Sequence, residues 1–257
     1  MTEKPSPTQV AQQVQKQGAI CLQGFFDPEA VAAMRGESVA LLDKPVEGVS
    51  PEGNPGGSAV RIDPKLLEGP RFPGISRALR SDFFQRTARG YDAKSTFCFD
   101  AVITHDRVPC KITDVHFDMR RSLKFMIYLS DVRKENAAFR YAFGTHRANR
   151  EVRHRFLLAG GKLNDLPNVP GPDEQLGLVD IEGPEGTLIV FDTDGFHSAG
   201  LLQAGKERLL IRSRTLLSGW YNSPVLRKAA ELNPLRFFLW SPGPAGRKAT
   251  GGSARAS

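Results

Sequence analysis

Gly186-Thr187-Leu188-Ile189-Val190-Phe191 sets four bulky apolar residues behind a small polar pair, and Asp192-Thr193-Asp194-Gly195 follows directly. The run reads as a strand buried on both faces, closed by residues that favour a tight turn. His197 lies just past that turn, where a strand end would open onto a cavity mouth. Working outward, strand-like runs recur at 96–104, 111–118, 123–129, 138–142 and 209–216. Short strands separated by turn signals favour a sandwich or a barrel.

Helical signals flank this β-rich region. Residues 8–17 suit a short helix and 18–22 a strand. Asp27-Pro28-Glu29 then combines a cap, a proline at the first helical position and an acid at the positive end of the helix dipole. Residues 75–90 and 149–158 also read as helical, and 160–177 as a loop. The expected class is mainly β with flanking helices. The expected organisation is one domain over 1–257, with a flexible N-terminus at 1–8 and a core at 95–218. Residues 44–74, rich in Pro and Gly, form a loop or lid candidate, and 241–257 a disordered tail.

At 257 residues with 40% hydrophobic and 25% charged residues, the chain can bury a core without disulfides or a structural metal. Its three cysteines, Cys21, Cys98 and Cys110, are scattered and lack paired spacing, as in a reducing compartment. The polar N-terminus shows no signal-peptide core and no run reaches membrane-span length, so a cytoplasmic, non-transmembrane protein is expected. Ten lysines and arginines lie from Leu201 onward against Glu207 and Glu231, so the net charge of +7 is concentrated there. That basic region, with Leu235-Arg236-Phe237-Phe238-Leu239-Trp240, suits an anionic small-molecule substrate, contact with a membrane surface or plain solvation. No nucleic-acid motif occurs, so no nucleic-acid partner is expected; the sequence leaves the oligomeric state open.

The chemistry concentrates in Thr113-Asp114-Val115-His116-Phe117-Asp118. In a strand, residues i and i+2 share a face, so His116 and Asp118 would project together. An imidazole and a carboxylate side by side are two ligands of the facial triad that holds iron(II) and leaves coordination positions open. His197 is the candidate third ligand. Downstream, Arg208, Arg212 and Arg214 share one strand parity, and any of them could clamp a carboxylate with its planar fork. Periodicity does not choose among them. Lys124 shares parity with Met126 and Tyr128, which places it either at the cavity mouth or at an exposed strand end.

Several ordered pieces together resemble the phytanoyl-CoA dioxygenase family of iron(II)/2-oxoglutarate oxygenases. They are Phe25-Phe26-Asp27-Pro28-Glu29, the His116/Asp118 pair, Leu123-Lys124-Phe125-Met126-Ile127-Tyr128-Leu129, residues 186–191, His197, and an arginine eleven positions beyond it. The resemblance implies a double-stranded β-helix (jelly-roll, cupin-like) core, with His116, Asp118 and His197 as catalytic metal ligands. It also implies Fe(II), 2-oxoglutarate and O2 as cofactor and co-substrates, and hydroxylation of an unactivated C–H bond as the reaction. By spacing it selects Arg208 as the 2-oxoglutarate anchor, and it points to Met126, Thr113 and Ser198 as further lining of that pocket. The sequence departs from the family where Asn-Gly becomes Asn136-Ala137 and where a Pro-Gly-Ser-His turn becomes Phe143-Gly144-Thr145-His146. His146 is expected to be a structural turn residue. A carboxylate at 118 favours hydroxylation over halogenation, whose enzymes need a small residue there. The other readings of the same sequence are a silent ligand-binding relative and a cupin-like hydrolase or isomerase using zinc or manganese.

Overall fold

Ser6 opens the first helix, α1 (Pro7–Gln17), through a capping box. Its hydroxyl accepts the Gln9 amide, and the Gln9 side chain accepts the Ser6 amide. Order therefore begins inside the segment read as flexible. The computed structural model describes residues 4–170 and 176–217; the expected tail at 241–257 and the 235–240 stretch lie outside them.

After β1 (Ala19–Leu22), Asp27 caps α2 (Pro28–Asp43) by accepting from the Ala30 amide at 2.8 Å. The Pro/Gly-rich stretch is less irregular than its composition suggests, because it contains β2 (Val49–Pro51) and β3 (Gly57–Ile62). The helix expected at 75–90 is two helices, α3 (Pro73–Leu79) and α4 (Asp82–Tyr91), separated where Ser81 takes up an extended conformation. Then follow β4 (Thr96–Asp106), β5 (Cys110–Lys111), β6 (Ser122–Tyr128), β7 (Phe139–Tyr141) and α5 (Thr145–Leu158). The chain closes with β8 (Val179–Ile181), β9 (Leu188–Asp192), β10 (His197–Ala199), β11 (Leu201–Leu202) and β12 (Arg208–Leu216).

These strands form a seven-stranded antiparallel sheet in the order β1-β9-β6-β12-β4-β3-β2, facing a three-stranded sheet, β10-β7-β8. A short β5–β11 pair completes the arrangement. Alternation along each central strand assigns its two faces. Leu123, Phe125 and Ile127 of β6, with Leu209 and Ile211 of β12, pack against Val14, Met34, Leu79 and Phe84 of the helices. Phe84 stacks on Phe125 with ring centres 4.4 Å apart. The opposite face carries Met126, Tyr128, Ile189, Phe191 and Leu210, packed on Phe139 and Tyr141 of the smaller sheet. This is the double-stranded β-helix the sequence implied, open rather than closed into a barrel. Polar residues sharing the inward parity, among them Arg208 and Lys124, therefore lie between the sheets.

Candidate metal centre and its cavity

The strand expected over 111–118 is not continuous. Only Cys110–Lys111 is regular, and His116 forms an isolated bridge to His197, whose amides and carbonyls bond reciprocally at 3.0 and 2.8 Å. The Asp118 amide donates to the Thr193 carbonyl at 2.9 Å. The segment is thus held to the 193–197 turn at alternate residues, which preserves the co-facing of His116 and Asp118 without a full ladder.

His116, Asp118 and His197 converge, each offering a ligand atom within 4.8 Å of the others. The Nε2 atoms of His116 and His197 lie 3.6 and 3.5 Å from Asp118 Oδ1. Each histidine places its Nδ1 2.8 Å from a backbone carbonyl, that of Asp114 for His116 and that of Gly195 for His197. That contact fixes Nδ1 as the protonated nitrogen and leaves both Nε2 lone pairs aimed at one point, the usual backing of a metal-ligating imidazole.

Lys124 ion-pairs with the other Asp118 oxygen at 2.7 Å. Burial alone would raise the Asp118 pKa, but Lys124 and the two histidines outweigh it and hold the carboxyl well below its usual range. Burial lowers the His197 pKa despite Asp118, which keeps that ring neutral near pH 7. Burial also opposes charge on His116, but Asp118 and the Asp114 carbonyl overcome it and its pKa rises.

His116 and His197 line an open cavity of about 200 Å³. All the other sequence-predicted contacts line it: Arg208, Met126, Thr113 and Ser198. Arg208 is buried and is not free. Its Nε and Nη2 lie 2.8 and 2.7 Å from Asp106 Oδ2, and Nη1 donates to the Ala137 carbonyl. Asn54 Nδ2 donates to the other Asp106 oxygen at 2.9 Å. Thr113 Oγ1 accepts the Ala199 amide. The cavity wall also holds buried polar atoms without a partner, namely Thr104 Oγ1, Ser198 Oγ and Arg212 Nε. Because buried polar groups are normally satisfied, a wall of this kind fits a small ligand rich in oxygen atoms.

Sequence reasoning missed the support beneath the triad. Arg153 of α5 is fully buried, donates to the Asp118 and Met119 carbonyls, and ion-pairs with Asp194. Arg121 and Arg150 join the same cluster, reaching Asp192 at 3.2 and 2.9 Å and Asp194 at 3.3 Å each. The signal was available on α5, where His146, Asn149, Arg153 and Leu157 form the buried stripe at helical spacing. A polar stripe where an apolar one is expected marks an internal network. His146 belongs to it, buried with Nε2 3.2 Å from the Gln15 carbonyl, and is no ligand of the triad. His105 and His154 are partly buried, and His105 pairs with Glu207 at 3.1 Å.

No family model and no curated protein matches the sequence. Solved structures do. SnoK, a non-heme alpha ketoglutarate dependent carbocyclase from nogalamycin biosynthesis, aligns with TM-score 0.62 and 17% identity over 84% of this chain and 87% of its own. The epimerase SnoN, in complex with Fe3+, alpha ketoglutarate and nogalamycin RO, gives 0.60 and 17% over 82% and 83%. EctD from S. alaskensis with bound Fe gives 0.60 and 16% over 84% and 79%. At such identity the likeness shows a shared fold, and function has to be argued from the site. Among the described residues no helix is long and apolar enough to cross a membrane.

Proposed function

We propose that this protein is an iron(II)- and 2-oxoglutarate-dependent oxygenase of the phytanoyl-CoA dioxygenase type, acting on a C–H bond of a small molecule. The observation that carries the reading is the convergence of His116, Asp118 and His197 beside a cavity lined by both histidines and by Arg208. Two imidazoles and one carboxylate suit iron(II) and leave further positions for exchangeable ligands. The bound iron and 2-oxoglutarate supply the oxidising power, O2 being reduced as the co-substrate is decarboxylated to succinate.

The chain supplies placement. The Asp114 and Gly195 carbonyls orient the imidazoles, and Lys124 holds one Asp118 oxygen so that the other faces the ligand point. Arg208 lines the cavity, where the N–H groups not taken by Asp106 and the Ala137 carbonyl would meet the distal carboxylate of 2-oxoglutarate, with Thr104 and Ser198 as hydroxyl partners. Met126, Phe139 and Phe191 form the apolar side that limits water. The tip of the β2–β3 hairpin brings Gly53, Asn54 and Pro55 to the rim, which confines the lid role to that tip. Hydroxylation is the favoured outcome because Asp118 keeps its carboxylate. Fold neighbours that epimerise or close rings show that the same scaffold serves other outcomes.

Anaerobic calorimetry with iron(II), followed by a succinate-release assay in air, tests the reading. Saturable 2-oxoglutarate binding and substrate-stimulated succinate are expected. Binding without succinate would favour a silent relative, and turnover with zinc but without oxygen a hydrolase or isomerase.

A further inference from the structure

Five inward or rim cations surround the triad side of the large sheet, and four of them are matched. Lys124 pairs with Asp118. Arg61 pairs with Glu52 through two contacts, at 2.9 and 3.0 Å, and with Asp100 at 2.6 Å; Arg214 reaches Asp100 at 3.2 Å. Arg208, deeper in, is matched by Asp106. Arg212 differs. It lies on β12 at the same parity as Arg208, opposite Met126 of β6 and Val102 of β4. Among the described residues its guanidinium has no hydrogen-bonded or ion-paired partner, and its Nε is buried with nothing to donate to. Burial, and next the charge of nearby Arg208, depress its pKa, and the charges of Asp106, Asp118 and Glu52 offset only part of that.

Its position is equally specific. Beside the triad cavity lies a second one of about 150 Å³, and Lys124 and Arg212 stand in the walls of both. Around the second cavity the acids Glu52 and Asp100 are already engaged by Arg61 and Arg214. Binding of a divalent iron and of dianionic 2-oxoglutarate adds no net charge to the site. Asp118 is offset by Lys124 and Asp106 by Arg208, so one positive charge stays uncompensated after the co-substrate is bound.

We infer that Arg212 receives a carboxylate of the substrate, seated where the two cavities share a wall, so that the rest of the molecule extends toward the metal ligands. The inference rests on the oxygenase reading and narrows its substrate to an organic monoanion. The planar guanidinium suits a carboxylate because two parallel N–H donors can meet two oxygens, and the partly buried position limits competing water.

The test uses the full-length, 15N-labelled protein loaded with zinc as a diamagnetic stand-in for iron, together with 2-oxoglutarate. Acetate serves as the probe and acetamide as its uncharged match. The Arg212 Nε–H resonance is assigned by its disappearance in Arg212→Gln. Acetate is expected to move that resonance saturably and acetamide to leave it in place. Arg212→Lys, which keeps charge and bulk if the Gln variant folds poorly, should weaken acetate at least about tenfold while 2-oxoglutarate affinity changes by less than about threefold. An Arg212 resonance indifferent to acetate overturns the inference. So does a 2-oxoglutarate affinity that collapses in Arg212→Lys, which would make Arg212 the co-substrate anchor. If the wild-type protein takes neither zinc nor 2-oxoglutarate, the oxygenase reading fails instead, a result separate from the acetate response.

Discussion

Arg153 and Asp194, neither with any solvent exposure, are ion-paired across the gap between α5 and the turn that precedes His197. Because Arg153 also donates to the Asp118 carbonyl, a single side chain ties the segment bearing two ligands to the segment bearing the third. Breaking a buried pair by removing one partner strands the other charge. Arg153→Met is expected to destabilise the fold by about 3 kcal/mol, even with Arg121 and Arg150 still near Asp194. Urea unfolding measures the loss. Adding Asp194→Asn should restore part of it, and failure to do so would show that Arg153 acts through its carbonyl contacts alone.

Lys124 engages the Asp118 oxygen turned away from the histidines. Replacing it with Met keeps the stem but removes the charge that holds the carboxylate in one rotamer. Partners behind a metal ligand typically carry about 10–100-fold in affinity. Lys124→Met should weaken metal binding within that range, while His116→Ala or His197→Ala should abolish it. Calorimetric titration of metal-free protein distinguishes these outcomes, and an unchanged affinity in Lys124→Met removes the positioning role.

Arg208 is pre-set by Asp106, which takes two of its donors on one oxygen. Lysine at 208 keeps the charge and loses the fork. Arg208→Lys is expected to raise the 2-oxoglutarate Kd by roughly 100-fold, equal to about 2.7 kcal/mol. Asp106→Asn frees the arginine but leaves it poorly oriented, and a smaller loss of about tenfold should follow. Equal effects from the two variants would argue that Asp106 itself contacts the ligand.

Ala137 has φ of 59°, the one described non-glycine residue in the left-handed region, and stands where the resembling family has glycine. Its carbonyl accepts from Arg208, so the strained residue sits directly on the candidate anchor. A left-handed conformation costs a residue with a Cβ about 1–2 kcal/mol, and glycine adopts it freely at some entropic cost to the unfolded chain. Ala137→Gly should therefore stabilise the protein by about 0.5–1 kcal/mol. Thermal melting reads this as a rise of a few degrees.

Tyr91, buried against Asp192, has its phenol pushed up to about 12, first by burial and then by the negative charge of Asp192. Tyr128 and Tyr141 are raised as well, chiefly by burial, and burial lifts the Cys21 thiol to about 11. In the unfolded chain these groups ionise near their ordinary values, about 10 for tyrosine and 8.5 for cysteine. The folded state holds its protons longer, so this contribution to stability is intact below those values and is lost as pH rises through about 9 to 12. Native absorbance titration should show few of the four tyrosines ionised at pH about 11, the rest appearing together with unfolding. Four tyrosines titrating near pH 10 in folded protein would contradict the buried network.

Much of the fold was legible because its signals are local. Alternation separated Leu123, Phe125 and Ile127 from Lys124, Met126 and Tyr128, and the large sheet puts the two sets on opposite faces. Asp27 and Pro28 marked a helix start that the structure keeps. Local signals failed where the partner is distant. Composition alone made 44–74 irregular, yet β3 is stabilised there by pairing with β4, 39 to 49 residues away. The continuous strand expected through His116 is absent, since its hydrogen bonds go to scattered groups at Thr193 and His197.

The 186–191 run and the turn behind it announced a buried strand with a histidine at its exit, and β9 followed by β10 realises that arrangement. The sequence alone determined which residues alternate inward and which side chains carry ligand chemistry, because side-chain parity and chemical identity are written residue by residue. Tertiary structure decided which cations were left over. Arg208, Arg212 and Arg214 are indistinguishable by period, and only folding brings Asp106 to the first and Asp100 to the third while leaving the second, among the described residues, without an ion-paired acid. Charge compensation depends on distances between segments far apart in the chain, and those distances do not exist until the sheets close around the cavity.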